Sequence, residues 1–208
     1  MALSKIQAES MNLADTYAFT GTVSGAGGGA YEVLSTTTST NTSTAEVTGL
    51  DGGHEHHMIV AKIEPLTEST SNHVMCQLGN SNGYYSFGHA IITEIYVKED
   101  NTDKSQNFTS VSDDASRLQM NANPLCRNAD NVGKTNGLFY IFANNLNQAE
   151  IYKTVGGHGV YNHTKEYAMR SQFTGIYYNN TQFTKAKIFL SSGNSFKCTV
   201  TAYGSLEA

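Results

Sequence analysis

Four stretches of this chain carry side chains with the means to do chemistry. In His54-Glu55-His56-His57, an extended backbone would place His54 and His56 on one face, and imidazole ligates zinc or nickel well. A closed site needs a fourth ligand and an outer layer of hydrogen bonds. The stretch sits between a glycine turn and an apolar run, so its histidines are expected to be structural or solvent-facing, and no metal is expected. Completion by Glu55, His89, His158 or His163, or by symmetry copies around a trimer axis, would change that reading. Residues 131–137 (NVGKTNG) contain the Gly-Lys-Thr of a phosphate loop. Asn128 stands where the first glycine is required, and the flanks read as turns, so this is a plain loop.

The carboxylates of Glu99, Asp100 and Asp103, with Asp113 and Asp114, could bind calcium or act as an acid and base pair. They lack the Asp-x-Asp-x-Asp-Gly spacing and read as solvated loops. The last set is aromatic: Tyr84, Tyr85 and Phe87, with Tyr177 and Tyr178 beside Asn179 and Asn180. These could stack on a sugar ring and bond its hydroxyls, or else close the core or a contact between subunits. The chain has no nucleophile elbow, no spaced Ser, His and Asp grouping, and no paired carboxylates on one element. Neither catalysis nor a cofactor is expected.

The elements that must position these groups are strands. Charged residues make up 15% of the 208, whereas Ser, Thr and Asn number 61, a balance that favours strands and turns over salt-bridged helices. A net charge of −5 with no basic run argues against a partner whose phosphates would have to be tracked, so no nucleic acid is expected. Cys76, Cys126 and Cys198 are an odd number without metal-ligand spacing, and read as small buried hydrophobes. The start, MALSKIQAES, lacks the apolar segment of a signal peptide, and no 18-residue apolar stretch offers a membrane span.

Tyr31 to Leu34 alternates, and residues 35–44 (STTTSTNTST) are an exposed edge strand or a loop. Met58, Ile59, Val60, Ala61 and Ile63 are apolar on both faces, which predicts a central strand stopped by Pro65. Further strands are expected at Val74 to Leu78, Ala90 to Val97, Leu138 to Phe142, near Lys153, and from Tyr167 to Tyr178. Lys98 to Asp114 reads as irregular. Near the end, Ile188 and Leu190 share one face, Ser-Gly-Asn-Ser supplies turn chemistry, and Phe196, Cys198 and Val200 alternate with polar residues. That pattern predicts a β-hairpin over Ala186 to Gly204. About nine or ten strands and no helical period after residue 30 predict an all-β fold, an antiparallel β-sandwich of jelly-roll or lectin-like type over 30–208. Residues 1–29 read as an extended N-terminal arm ending in the flexible GAGGG, with Ile6, Met11, Leu13, Tyr17 and Phe19 as its apolar contacts, made either to a partner surface or as a strap across the protein's own core.

Three segments carry a resemblance. The leader SKIQAESMNLADTYAFTGTVSGAG, the Gly49 to Pro65 phrase, and the closing apolar run, Ser-Gly-Asn turn and Tyr-Gly strand resemble marine bacteriophage virion-surface proteins of tail-fibre or capsid-decoration type. The succession of elements is similar across nearly the whole chain. The resemblance implies a non-enzymatic virion structural protein, made in the host bacterial cytoplasm and carried on the virion surface. Its arm would dock on other virion proteins of the capsid or tail. A lectin-like module binding a host surface glycan is the alternative, through Tyr84, Tyr85, Tyr177 and Tyr178. The same tyrosines and the sandwich edges, poor in guarding charges, suit a homo-oligomer, with a trimer favoured.

Overall fold

A computed structural model describes residues 31–50, 52–86, 89–98, 104–111, 117–149, 152–164, 167–177 and 181–205. The strands are β1 (Tyr31–Thr42), β2 (Thr44–Thr48), β3 (His56–Pro65), β4 (Val74–Asn80), β5 (Gly83–Tyr84), β6 (His89–Lys98) and β7 (Lys104–Val111). There follow β8 (Leu118–Gln119), β9 (Gly137–Asn144), β10 (Lys153–Thr164), β11 (Tyr167–Tyr177), β12 (Lys185–Leu190) and β13 (Phe196–Ser205). An eight-stranded sheet runs β1-β13-β3-β9-β10-β11-β6-β7. A five-stranded sheet runs β2-β12-β4-β5, with β8 also on β4. The pairings are antiparallel, and the two sheets enclose one core, so the molecule is an all-β sandwich. Among the described residues the one helical piece is a short 3₁₀ turn, Ala129–Asn131.

Strict alternation produces this core. On β3, Ile59, Ala61 and Ile63 point inward; on β13 it is Phe196, Cys198, Val200 and Ala202; on β12, Ala186, Ile188 and Leu190. Phe139, Phe173, Phe183 and Phe196 are all 2% exposed or less, and each such burial stabilises by about 2–3 kcal/mol. The three cysteines are free and buried, as expected of small hydrophobes, and burial pushes the Cys76 thiol up to about 12. As expected, β3 is central, lying between β13 and β9.

The Ser/Thr-rich stretch proves to be the edge strand of the two alternatives. Its alternate hydroxyls have separate tasks. Ser35 Oγ accepts from the Thr48 amide at 2.9 Å and donates to the Thr48 carbonyl at 3.0 Å, while Thr37 Oγ1 donates to the Glu46 carbonyl at 2.5 Å. These bonds satisfy groups on the outer edge of β2 and draw the margins of the two sheets together. On the other side of the strand, Thr36 Oγ1 donates to Thr201 Oγ1 at 3.1 Å.

Two expectations are corrected. The segment Lys98 to Asp114 is not all irregular: β7 occupies its middle as an edge strand, and its mixed, mostly polar composition hid it from a search for alternation. The described residues therefore hold thirteen strands rather than nine or ten. Nor is the C-terminal pair a hairpin. β12 pairs with β2 and β4 in the small sheet, and β13 pairs with β1 and β3 in the large one. Ser191 to Ser195 crosses between the sheets, with Gly193 at φ +75°. It is anchored by Ser191 N to the His73 carbonyl (2.9 Å) and by Asn194 and Ser192 side chains to Asn72 Oδ1. Both strands face the core, but from opposite sides.

Candidate functional site

The histidine stretch does not form a metal face. β3 begins only at His56, so His54 precedes the strand and leaves its alternation. His54 Nδ1 donates to the Ser205 carbonyl at 2.5 Å, and Nε2 lies 3.0 Å from Glu32 Oε1. The ring lies over Gly204, where a Cβ would come within 2.5 Å of it. His56 is exposed and meets Asn144 Oδ1 at 3.1 Å. His57 is buried edge-on to His54, ring centres 6.0 Å apart, and burial is the main cause that pushes its pKa down to about 4. Among the described residues no three metal-ligating side chains come together.

The tyrosine set is divided. Tyr177 is corrected from a candidate contact to a core residue: it is fully buried, its ring packs 4.9 Å from that of Phe183, and its hydroxyl accepts from the Leu78 amide at 2.9 Å. Two strand parities explain it, since Phe173, Gly175 and Tyr177 all point inward on β11. Tyr85 is half-buried against Phe183. Tyr84 stands on the outer face of the small sheet. Its hydroxyl donates to the Glu46 carboxylate, and the Lys187 and Lys185 ammonium groups lie 4.0 and 4.8 Å from its ring. That hydrogen bond is the first cause holding the Glu46 carboxyl below its ordinary range. Tyr178, and the arm residues Ile6, Met11, Leu13, Tyr17 and Phe19, lie outside the described residues.

Two groupings were not singled out from the sequence. The first is interior. Glu94 is fully buried on β6, yet it accepts from the Ala122 amide (2.5 Å), the Asn123 amide (3.1 Å), Asn123 Nδ2 (2.7 Å) and the Tyr161 hydroxyl. Around it, His163 Nδ1 donates to the Pro124 carbonyl at 2.6 Å, and Asn121 Oδ1 accepts from the Val74 amide at 2.6 Å. A carboxylate supplied with four donors is a clasp for the 119–124 segment, not a free acid. The signal was present in the alternation, which puts Glu94 on the same face as Ile92.

The second lies on the outward face of the eight-stranded sheet. There β6 turns its more apolar side to solvent, leaving Ile91 48% and Ile95 49% exposed. Cross-strand register aligns three rows from β3 to β6: Met58, Phe142, Gly156, Thr174, Ile91; then Val60, Tyr140, His158, Gln172, Thr93; then Lys62, Leu138, Val160, Arg170, Ile95. The His158 ring stacks on Tyr140 with centres 5.1 Å apart and lies 6.1 Å from Phe142. A cavity of about 600 Å³ opens at the third row, over Leu138, Val160, Ile95 and Arg170. Of the described outward residues on β3, β9, β10, β11 and β6, the charged ones are Lys62, Arg170 and Glu64, and Glu64 already pairs with Lys197 at 2.8 Å.

Comparisons with known proteins add little to this geometry. No family model matches the chain, and no curated protein matches it. Among solved structures, a family 7 alginate lyase, A1-II′, crystallised as a doubly substituted variant with substrate, is similar at 12% identity and a TM-score of 0.22. The alignment covers 78% of this chain and 66% of that one, so this chain spans less than two thirds of the lyase chain. No part of the functional reading rests on it.

Proposed function

We propose that this protein is a non-enzymatic structural protein of a bacteriophage virion surface, a capsid decoration protein or a tail-fibre component, attached by residues 1–29 and displaying the sandwich outward. The observation that carries the reading is the leader itself: Ile6, Met11, Leu13, Tyr17 and Phe19 stand ahead of the Gly-rich 25–29 stretch, and apolar side chains on so short a segment call for burial against a larger surface. The resemblance of the leader and of the Tyr-Gly strand to virion-surface proteins supports the same reading. So do the buried polar groups, which hold loops in place rather than face solvent.

Assembly into a trimer follows from weak individual arms. Linking several raises the effective concentration of each once the first has bound, for a gain of roughly 10²-fold or more. With Tyr177 in the core, the surfaces left for such contacts are the hydroxyl-rich β1 edge and the outward faces of the sheets. The test uses the full chain beside a variant lacking residues 1–26. The variant should keep its melting temperature within a few degrees and lose binding to particles; retained binding overturns the arm. Light scattering on the full chain should give a multiple of 22.5 kDa, and a persistent single-chain mass overturns the trimer. A quantified gel of virions then separates decoration, at hundreds of copies, from fibre, at tens.

A further inference from the structure

The rows on the outer face of the large sheet differ from an ordinary solvent face in three ways. First, Phe142 is 41% exposed and its neighbour across the ladder is Gly156, so one side of the aromatic ring borders bare backbone. That glycine is not demanded by packing, since a Cβ there would meet its nearest atom at an ordinary 3.4 Å. Three positions on, a Cβ at Gly159 would lie 2.3 Å from the Phe139 ring, so that glycine is required by the core. Second, neutral hydrogen-bonding side chains stand beside the aromatic patch: Thr174 faces Gly156, and Gln172 faces His158. Third, Lys62 and Arg170 make no ion pair among the described residues. They sit in the same row three strands apart, roughly 14 Å at the usual strand spacing. In a chain of net charge −5, the described residues of this face hold two uncompensated cations and no uncompensated carboxylate.

From this geometry we propose that the outer face of the eight-stranded sheet binds an anionic polysaccharide. A sugar ring lies on Phe142 over the space left by Gly156, its hydroxyls bond Gln172 and Thr174, and flanking acid groups meet Lys62 and Arg170. Apolar ring faces interleaved with fixed neutral donors and acceptors match the amphipathic faces of a pyranose, and the paired cations match a repeating negative charge. A protein partner fits less well, because an unpaired lysine within the patch is depleted at the centres of such interfaces. The proposal stands apart from the arm and the particle, and its assay uses neither.

The experiment is titration of the full-length protein with polygalacturonate, dextran sulfate and neutral dextran as probes. Binding is expected to one or both anionic polymers, weakening as salt rises, and not to dextran. Tighter binding to polygalacturonate assigns a carboxylated ligand; tighter binding to dextran sulfate assigns a sulfated one. Phe142→Ala and Arg170→Glu should each weaken binding at least tenfold. Gly156→Val should do the same by filling the space beside Phe142, with an unchanged circular dichroism spectrum and a melting temperature within a few degrees. Tyr84→Ala, on the opposite face, should leave affinity unchanged. No binding to either anionic polymer, equal binding to dextran, or affinity indifferent to both Phe142→Ala and Gly156→Val overturns the proposal.

Discussion

On the outer face of the small sheet, Tyr84, Glu46, Lys185 and Lys187 answer one another: hydroxyl to carboxylate, ammonium to carboxylate at 3.4 Å, ammonium over ring at 4.0 Å. On the outer face of the large sheet, Gln172, Lys62 and Arg170 hold no ion pair or side-chain hydrogen bond among the described residues, and Phe142 has the His158 ring 6.1 Å from its own. Both faces combine aromatics with cations. A residue list would rank the first as the better ligand site, since it offers more charge and a more exposed-looking tyrosine. The difference lies in what is already satisfied: a side chain holding its partners must release them before it can bind anything else, and that cost is charged against affinity. Unpaired groups on a rigid sheet bring no such penalty.

The interior extends the comparison, because Glu94 is fully buried with four donors on its carboxylate. Glu94→Ala should have the largest effect, a loss of roughly 3 kcal/mol or more by chemical denaturation, because four donors lose their acceptor inside the sandwich. Loss of under 1 kcal/mol would mean water replaces the carboxylate, and the clasp would then be no clasp. Next in size is the acid response of His57. Its folded value, about 4, lies below the ordinary 6.5, so on acidification the unfolded chain takes up its proton first. Stability from this group is therefore full above about pH 6.5 and falls as pH drops toward 4, by about 2–3 kcal/mol. His73 and His163, also pushed down by burial, act in the same sense. Denaturant midpoints between pH 7 and 4 should show the fall, and His57→Gln should flatten part of it; an unchanged slope would assign the effect to the other two. The smallest effect belongs to Tyr84→Phe, about 1 kcal/mol or less, because its bond to Glu46 lies at the surface. A larger loss there would show the small sheet's face to be part of the fold's main support.

Much of the architecture was legible in advance. Alternation located β3, β6 and β9 and marked which residues share a face, and composition excluded long helices. β7 was missed because an edge strand bonded on one side can be largely polar. The misread hairpin has a different cause. A turn flanked by two alternating strands reads alike whether the strands bond to each other or face each other across a core. Only the partners, β2 and β4 for one and β1 and β3 for the other, distinguish the two cases. The site was harder to read for the same reason. Phe142, Gly156, Thr174 and Ile91 come from four strands up to 83 positions apart, and no local spacing relates them.

By itself, then, the amino-acid order determined local matters: strands, turns, the burial of the cysteines, and the absence of a continuous apolar span. These follow from nearest-neighbour sterics and from the period-two geometry of an extended chain. Tertiary structure alone decided which face of each strand met the other sheet. On β6 it turned Glu94 inward, where loop amides and Tyr161 could satisfy it, and left Ile91 and Ile95 in solvent. Hydrophobicity would have chosen the reverse. The physical reason is that a strand's orientation is set by every strand bonded beside it, so one carboxylate with four donors can be carried inward by the register of its sheet.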